Sequence, residues 1–399
     1  MKKFILLVIL FILLFFLIIK VELTKKNTDI DIPRLYIVGN IEDLKSKDDN
    51  RKIKVKYVSN SINFESYATI KIQGNYSLSF QKKNYNITFY KDYKFKDRKE
   101  INFKWGYYDK YTLKANWIDP LIYRNIVTAQ IASEANRKYN LFNGTINNGL
   151  TDGYPIEIYI NNTFLGLYTL NINRDYLFNM DKNNNNNIVI TAKNWGAATL
   201  FRTEETIRWQ DFEVETGEKN EETLNKLNRL ISFVSKTTDK EFKENFEEYF
   251  NLDSVLNYYC IMQFATLNDN SIRNLNLVTY DGIIWYTALY DLDASWGNSL
   301  KYGKLEYETV YQMYYSNLWT RFEKIFSEEI KIRYKELREE ILTQENLLNK
   351  IDEFNKLIPA STLNKEYKKW NNKPSYDNSY LQDYFDSRIK DLDDFINNL

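Results

Sequence analysis

The apolar residues change period partway along the chain, and that change limits the fold more than any single motif does. Over residues 35–170 they tend to alternate with polar ones, as in Ile53-Lys54-Val55-Lys56-Tyr57, Ala68-Thr69-Ile70-Lys71-Ile72 and Tyr85-Asn86-Ile87-Thr88-Phe89. A period of two is that of a strand with one buried face. Residues 154–170 read as a hairpin, with strands over 156–160 and 164–170 joined by an Asn161-Asn162 turn. One helix interrupts the strands: Asp119-Pro120 supplies an N-cap and first-turn pair, and residues 121–139 follow in helical spacing. After the asparagine run 183–187, a loop by composition, the spacing turns helical over 221–237, 242–250 and 253–267. A short β segment follows, 274–280 and 283–290 around Asp281-Gly282, and amphipathic helices fill 317–399. This order predicts an α+β fold with a cleft between a strand-rich N-terminal lobe (34–180) and a helix-rich C-terminal lobe (181–399).

Residues 4–19 are unbroken apolar sequence between Lys3 and Lys20. At ~1.5 Å per residue they span about 24 Å, slightly short of a bilayer core of about 30 Å. No small-x-small cleavage site follows in Val21-Glu22-Leu23-Thr24, and no cysteine stands nearby for lipid attachment. The run reads as an uncleaved signal anchor over 1–23, a transmembrane helix joined to the fold by a polar linker over 24–33. Lys2 and Lys3 would stay cytoplasmic, leaving the rest membrane-anchored and extracytoplasmic.

Two scarce residue types narrow the chemistry. There is no histidine, which excludes Ser-His-Asp and Cys-His catalysis and HExxH zinc sites. The single cysteine, Cys260, allows no internal disulfide and lies in an apolar run, as a core residue would. Lys+Arg and Asp+Glu both number 54, so no global field favours nucleic acid as a partner. Chemistry is left to carboxylates, amides, lysines or a hard metal ion.

The most informative stretch is Asn268-Asp269-Asn270-Ser271-Ile272-Arg273-Asn274, followed after a hairpin by Asp291-Leu292-Asp293. Protein kinases use this layout: an aspartate accepts the substrate hydroxyl proton, an asparagine five residues on holds a metal, and an aspartate after a hairpin holds metal on the triphosphate. A short loop can aim a base and an amide at one phosphoryl group, and the returning hairpin adds acids from another side. Hard oxygen ligands suit Mg²⁺ or Mn²⁺. Asp291 and Asp293 also follow an apolar strand directly, and Trp296-Gly297 comes next.

Several further stretches, in order, resemble the CotH (spore coat protein H) kinase family over residues 34–399. Ile72-Gln73-Gly74-Asn75-Tyr76-Ser77 with Phe80-Gln81-Lys82-Lys83-Asn84-Tyr85 is similar to the family's Arg-Gly-Asn-Ser…Lys-Lys-Ser-Tyr signature. Leu113-Lys114-Ala115-Asn116…Asp119 leading to Arg124-Asn125 resembles its Trp-x-Leu…Asp…Met-Arg-Asn stretch, and Glu157 to Asn162 with Gly166-Leu167-Tyr168 its Val-Tyr-x-Asn-Gly…Gly-x-Tyr hairpin. Tyr290-Asp291-Leu292-Asp293-Ala294-Ser295-Trp296-Gly297 is similar to its Trp-Asp-x-Asp-x-x-x-Gly motif. The resemblance implies an atypical two-lobed protein-kinase-like fold that binds ATP with divalent metal and phosphorylates Ser or Thr of surface or spore-coat proteins. It implies Asp269 as the catalytic aspartate with Asn274 on the metal side, and Asp291 and Asp293 as metal ligands. Either Lys82 or Lys83 would meet the phosphates. Gly74-Asn75 would admit backbone N–H groups to a phosphate, or form a plain turn, and Arg124 would brace the site or cap its neighbours.

Three positions depart from that pattern. Gln73 stands for an arginine, Asn171 for a glutamate whose loss removes a lysine–glutamate brace, and Tyr290 for a tryptophan. A catalytically weak pseudokinase acting as a surface or coat-assembly scaffold or adhesin is therefore an alternative to an active kinase. A carboxylate-pair glycan hydrolase is a third reading, though the Asp and Asn grouping suits a metal better.

Overall fold

The computed structural model describes residues 32–74, 76–193, 209, 211–298 and 317–399. Strands β1 (Arg34–Val38), β2 (Arg51–Val58), β3 (Asn63–Gln73), β4 (Asn84–Tyr90), β7 (Lys110–Lys114), β8 (Gly153–Ile160) and β9 (Thr163–Ile172) close into a barrel in the order β1-β2-β3-β4-β7-β9-β8. A small ribbon, β5 (Ile101–Asn102) with β6 (Tyr107–Tyr108), lies outside this order. The alternation in β2 shows why the barrel forms: Ile53, Val55 and Tyr57 are buried while Lys52, Lys54 and Lys56 are exposed. The inward set joins one apolar cluster with Ile37, Ile70, Ile87, Leu113 and Ile158. Neighbouring strands run antiparallel except β1 and β8, which pair in parallel, Arg34 opposite Glu157. That pairing removes both sheet edges. The β8–β9 turn is as expected, Asn161 and Asn162 both taking positive φ (47° and 66°).

Helix α1 (Arg124–Lys138) lies between barrel strands β7 and β8 in the chain and packs into the core of a second unit. There β10 (Ile188–Ala192), β11 (Phe212–Thr216), β12 (Leu275–Thr279) and β13 (Tyr286–Leu289) form an antiparallel sheet in the order β11-β10-β12-β13. Around it pack α2 (Glu221–Lys236), α3 (Asp239–Glu244), α4 (Leu252–Phe264), α5 (Asn317–Ile325), α6 (Ser327–Arg338) and α7 (Gln344–Asn355). Polar residues start several of these helices: Asn220 accepts from Thr223 N–H, Asn251 from Ser254 N–H, and Thr238 forms a capping box with Glu241. From Ser254 to its end α4 is buried on all sides, Cys260 included. Helix α8 (Ala360–Trp370) returns to the barrel and precedes α9 (Tyr380–Asp383), a π-turn (Tyr384–Ile389) and α10 (Lys390–Asn397).

Two expectations are corrected here. The two-lobed, protein-kinase-like fold is overturned, because the N-terminal strands close on themselves instead of forming an open lobe. The parallel contact of β1 with β8 does this, and α8 covers the outer face of β9. The fold also included a membrane helix; among the described residues no helix is long and apolar enough to cross a membrane. The anchor expected over 1–23 and most of the linker lie outside the described residues. At a finer scale, the helix expected from residue 121 starts at Arg124. Ile122 takes φ +73°, and Asp119 receives the N–H of Arg124 (2.8 Å) across the intervening turn.

Candidate active site

A cavity of about 630 Å³ lies between the ends of β3, β4, β7 and β9 and the edge of the second sheet. Three loops shape its floor. The first follows α4, whose exit turns through Thr266 (φ 53°) into a 3₁₀ turn, Asn268–Ser271, carrying Asp269. Buried Asn270 anchors this turn: its Nδ2 donates to Tyr290 O (2.8 Å), and Tyr258 OH donates to Asn270 O (2.6 Å). Asp269 thus reaches the cavity, where Arg273 Nη2 grips both its oxygens at 2.5 and 2.7 Å. Asn274 (φ 57°) donates its N–H to Ala192 O (2.9 Å), tying the loop to β10.

The second loop follows β13 and holds Asp291 (φ 59°) and Asp293. Polar residues on α1 seat it: Asn125 Oδ1 accepts from Leu292 N–H (2.9 Å), Arg124 Nε donates to Ser295 O (3.1 Å), and Thr128 meets the Ser295 hydroxyl at 2.7 Å. Trp296 adds an indole N–H to Thr128 and a backbone N–H to Ala265 O, both 2.8 Å, joining the two loops. The third loop begins at Gly74 (φ +110°). That φ is one L side chains rarely adopt, which favours glycine in this turn at the cavity wall.

The two carboxylates converge on one cation. Lys114, the last residue of β7, ion-pairs with Asp291 and sits 3.2 Å from Asp293 Oδ2. Burial alone lowers the pKa of Lys114, but the two carboxylates outweigh it, so the ammonium stays charged. Burial raises the pKa of Asp293; Lys114 opposes that and the Asp291 charge adds to it. Further cations stand on the wall: Lys110 pairs with Asp175 (2.6 Å), and Arg174 pairs with Glu215 (2.9 Å) over the Tyr290 ring (4.5 Å).

Of the residues singled out in the sequence, Asp269, Asn274, Asp291, Asp293 and Gly74 line this one cavity, and Lys82, Lys83 and Arg124 do not. Lys82 is fully buried, donating to Ala115 O (3.0 Å) and Glu366 Oε1 (2.7 Å). Lys83 donates to the carbonyls of Leu78 and Phe80. Neither ammonium lines the cavity in this structure, since both are held by internal partners. Asn75 lies outside the described residues. Arg124 is buried outside the cavity, paired with Asp119 and donating to Tyr380 OH at 2.9 Å. Lys82 pairs instead with Glu366, outside the cavity. Lys114, Arg273, Arg174 and Lys110 were missed; the available signal for Lys114 was a lysine ending a strand of otherwise buried character.

The donor set fits a divalent ion of the Mg²⁺ or Mn²⁺ kind. Among the described residues no cluster of three or more His, Cys, Asp or Glu is arranged to hold a metal. Two converging carboxylates already holding a cation do suit an ion that is bound by one or two acids and completed by phosphate oxygens and water. Replacing Arg124 with leucine strands Asp119, which is 0% exposed; chemical denaturation is expected to show a loss of about 3–5 kcal/mol.

A family model described as CotH kinase protein matches residues 70–398, and the chain belongs to the CotH kinase family. A search of curated proteins finds no match to it.

Proposed function

We propose that this protein transfers the γ-phosphate of ATP to a serine or threonine hydroxyl of a surface or spore-coat protein. The observation that carries the reading is the convergence of Asp269, Asn274, Asp291 and Asp293 on one cavity whose size suits a nucleotide. Asp269 accepts the hydroxyl proton as the oxygen attacks the γ-phosphorus, the bond to the bridging oxygen breaks, and ADP leaves. Asp291 and Asp293, with Asn274 lining the same cavity, would hold a divalent ion. Bound there, that ion neutralises charge on the triphosphate. Arg273, on the same loop as the base, orients its carboxylate and adds positive charge at the transferring group.

The test is incubation of the purified full chain with γ-labelled ATP, Mg²⁺ or Mn²⁺ and a serine-containing acceptor. Wild type should label the acceptor. Asp269→Asn should bind metal–ATP as before yet transfer about 10²–10⁴-fold more slowly, the usual effect of a general base. Absence of metal-dependent transfer in wild type overturns the kinase reading. Binding without transfer supports a scaffold, a reading favoured by the two-oxygen grip of Arg273 on Asp269.

A further inference from the structure

Lys114 occupies the place between Asp291 and Asp293 that a metal ion would need, and a second small cavity lies beside it. That cavity, about 20 Å³, is walled by Gln73, Thr112, Asn171, Tyr290, Asp291 and Lys114 itself, among others. Gln73 Oε1 and Asn171 Oδ1 are both buried without a hydrogen-bond partner, and Asn171 is only 3% exposed. Buried acceptors left unpaired are rare because each forfeits its hydration. Gln73 ends β3 and Asn171 lies near the end of β9, so two separate strands each bring an amide side chain with an unpaired oxygen to the wall of this space, the Asn171 oxygen beside Gly153.

We propose that Lys114 is a resident counter-ion that a divalent cation displaces, and that Gln73 and Asn171 receive the displaced ammonium. This rests on the reading that Asp291 and Asp293 hold metal. Without a metal, two close carboxylates repel, and an ammonium with three donors keeps both in contact with one cation. A divalent ion needs the same oxygens and cannot share them with an ammonium at contact distance, since the two charges are alike. A lysine stem has several rotatable bonds and can turn without backbone movement. The 20 Å³ beside it is enough for a group the size of a water molecule, and the acceptors there carry no charge to trap the ammonium permanently. Lys114 is thereby a positioning residue: it keeps the acid pair assembled before metal arrives and yields when it does.

The experiment is Mn²⁺ binding to the nucleotide-free full chain, followed by the loss of the free-Mn²⁺ electron paramagnetic resonance signal. Lys114→Met removes the competing cation and should bind Mn²⁺ about tenfold tighter than wild type or better, within the usual range of coupling between sites. A purely structural lysine predicts the opposite, because losing it would splay the acids and weaken binding. Asn171→Leu, which leaves the ion pair alone, should weaken Mn²⁺ binding several-fold by closing the receiving site. Wild-type binding that Lys114→Met fails to tighten and Asn171→Leu fails to weaken overturns the displacement and leaves the metal site standing. No Mn²⁺ binding in any of the three, with ATP absent or present, overturns the metal reading and the displacement together.

Discussion

Asp291→Asn is expected to slow phosphoryl transfer by about 10²–10³-fold, the scale on which losing one preorganised electrostatic partner slows an enzyme. Unlike Asp269→Asn, it should also weaken metal–ATP binding, because Asp291 acts on the cation and not on the acceptor hydroxyl. Folding should change little: the Asp291 side chain is about a third exposed, and Lys114 keeps Asp293 at 3.2 Å when Asp291 is neutral. Parallel rate and titration measurements on the two variants separate the roles. Equal loss of binding in both, or transfer by Asp291→Asn within a few-fold of wild type, contradicts the assignment.

An equally large stability effect is expected at Glu366, which does not line the cavity. Helix α8 inserts this carboxylate between the barrel and the Lys82 turn, where Oε1 accepts from Lys82 and Oε2 from Leu167 N–H, each at 2.7 Å. Lys82 and Glu366 are almost wholly buried, and burial lowers the Lys82 pKa against the pull of Glu366. Gly166 permits the approach, since a Cβ there would meet Lys82 Cε at 2.9 Å and Glu366 Oε2 at 3.0 Å. Glu366→Leu leaves Lys82 buried without its counter-charge and should cost about 3–5 kcal/mol in urea unfolding. Adding Lys82→Met should restore part of that loss, because the uncompensated charge is gone while the buried Leu167 N–H stays without its acceptor. A double variant no better than the single one would show that the pair acts through something other than uncompensated charge.

These two sites also show what the sequence made legible. The strands could be read because a barrel interior takes every second side chain, so Ile53, Val55 and Tyr57 announce β2 without knowledge of its neighbours. Closure could not be read, because it depends on Arg34 meeting Glu157 through a parallel contact with no local pattern. The acids were legible for a local reason: Asp269 and Asn274 belong to one short loop, and Asp291 and Asp293 to the exit of one hairpin. The lysines were not. Lys82 and Lys83 precede β4, which begins at Asn84, so strand alternation does not decide which faces inward. The partner that fixes Lys82 lies 284 residues away. Lys114 sat inside a recognised motif, yet its role depends on a loop arriving from 177 residues downstream.

The most direct test of the central claim, that these acids gather around a cation bearing a triphosphate, is calorimetric titration of the purified full chain with ATP in Mg²⁺, in Mn²⁺ and in chelator. Saturable binding is expected in either metal, with its loss on chelation and in Asp291→Asn. ATP binding that is indifferent to chelator, or absent in both metals, contradicts it.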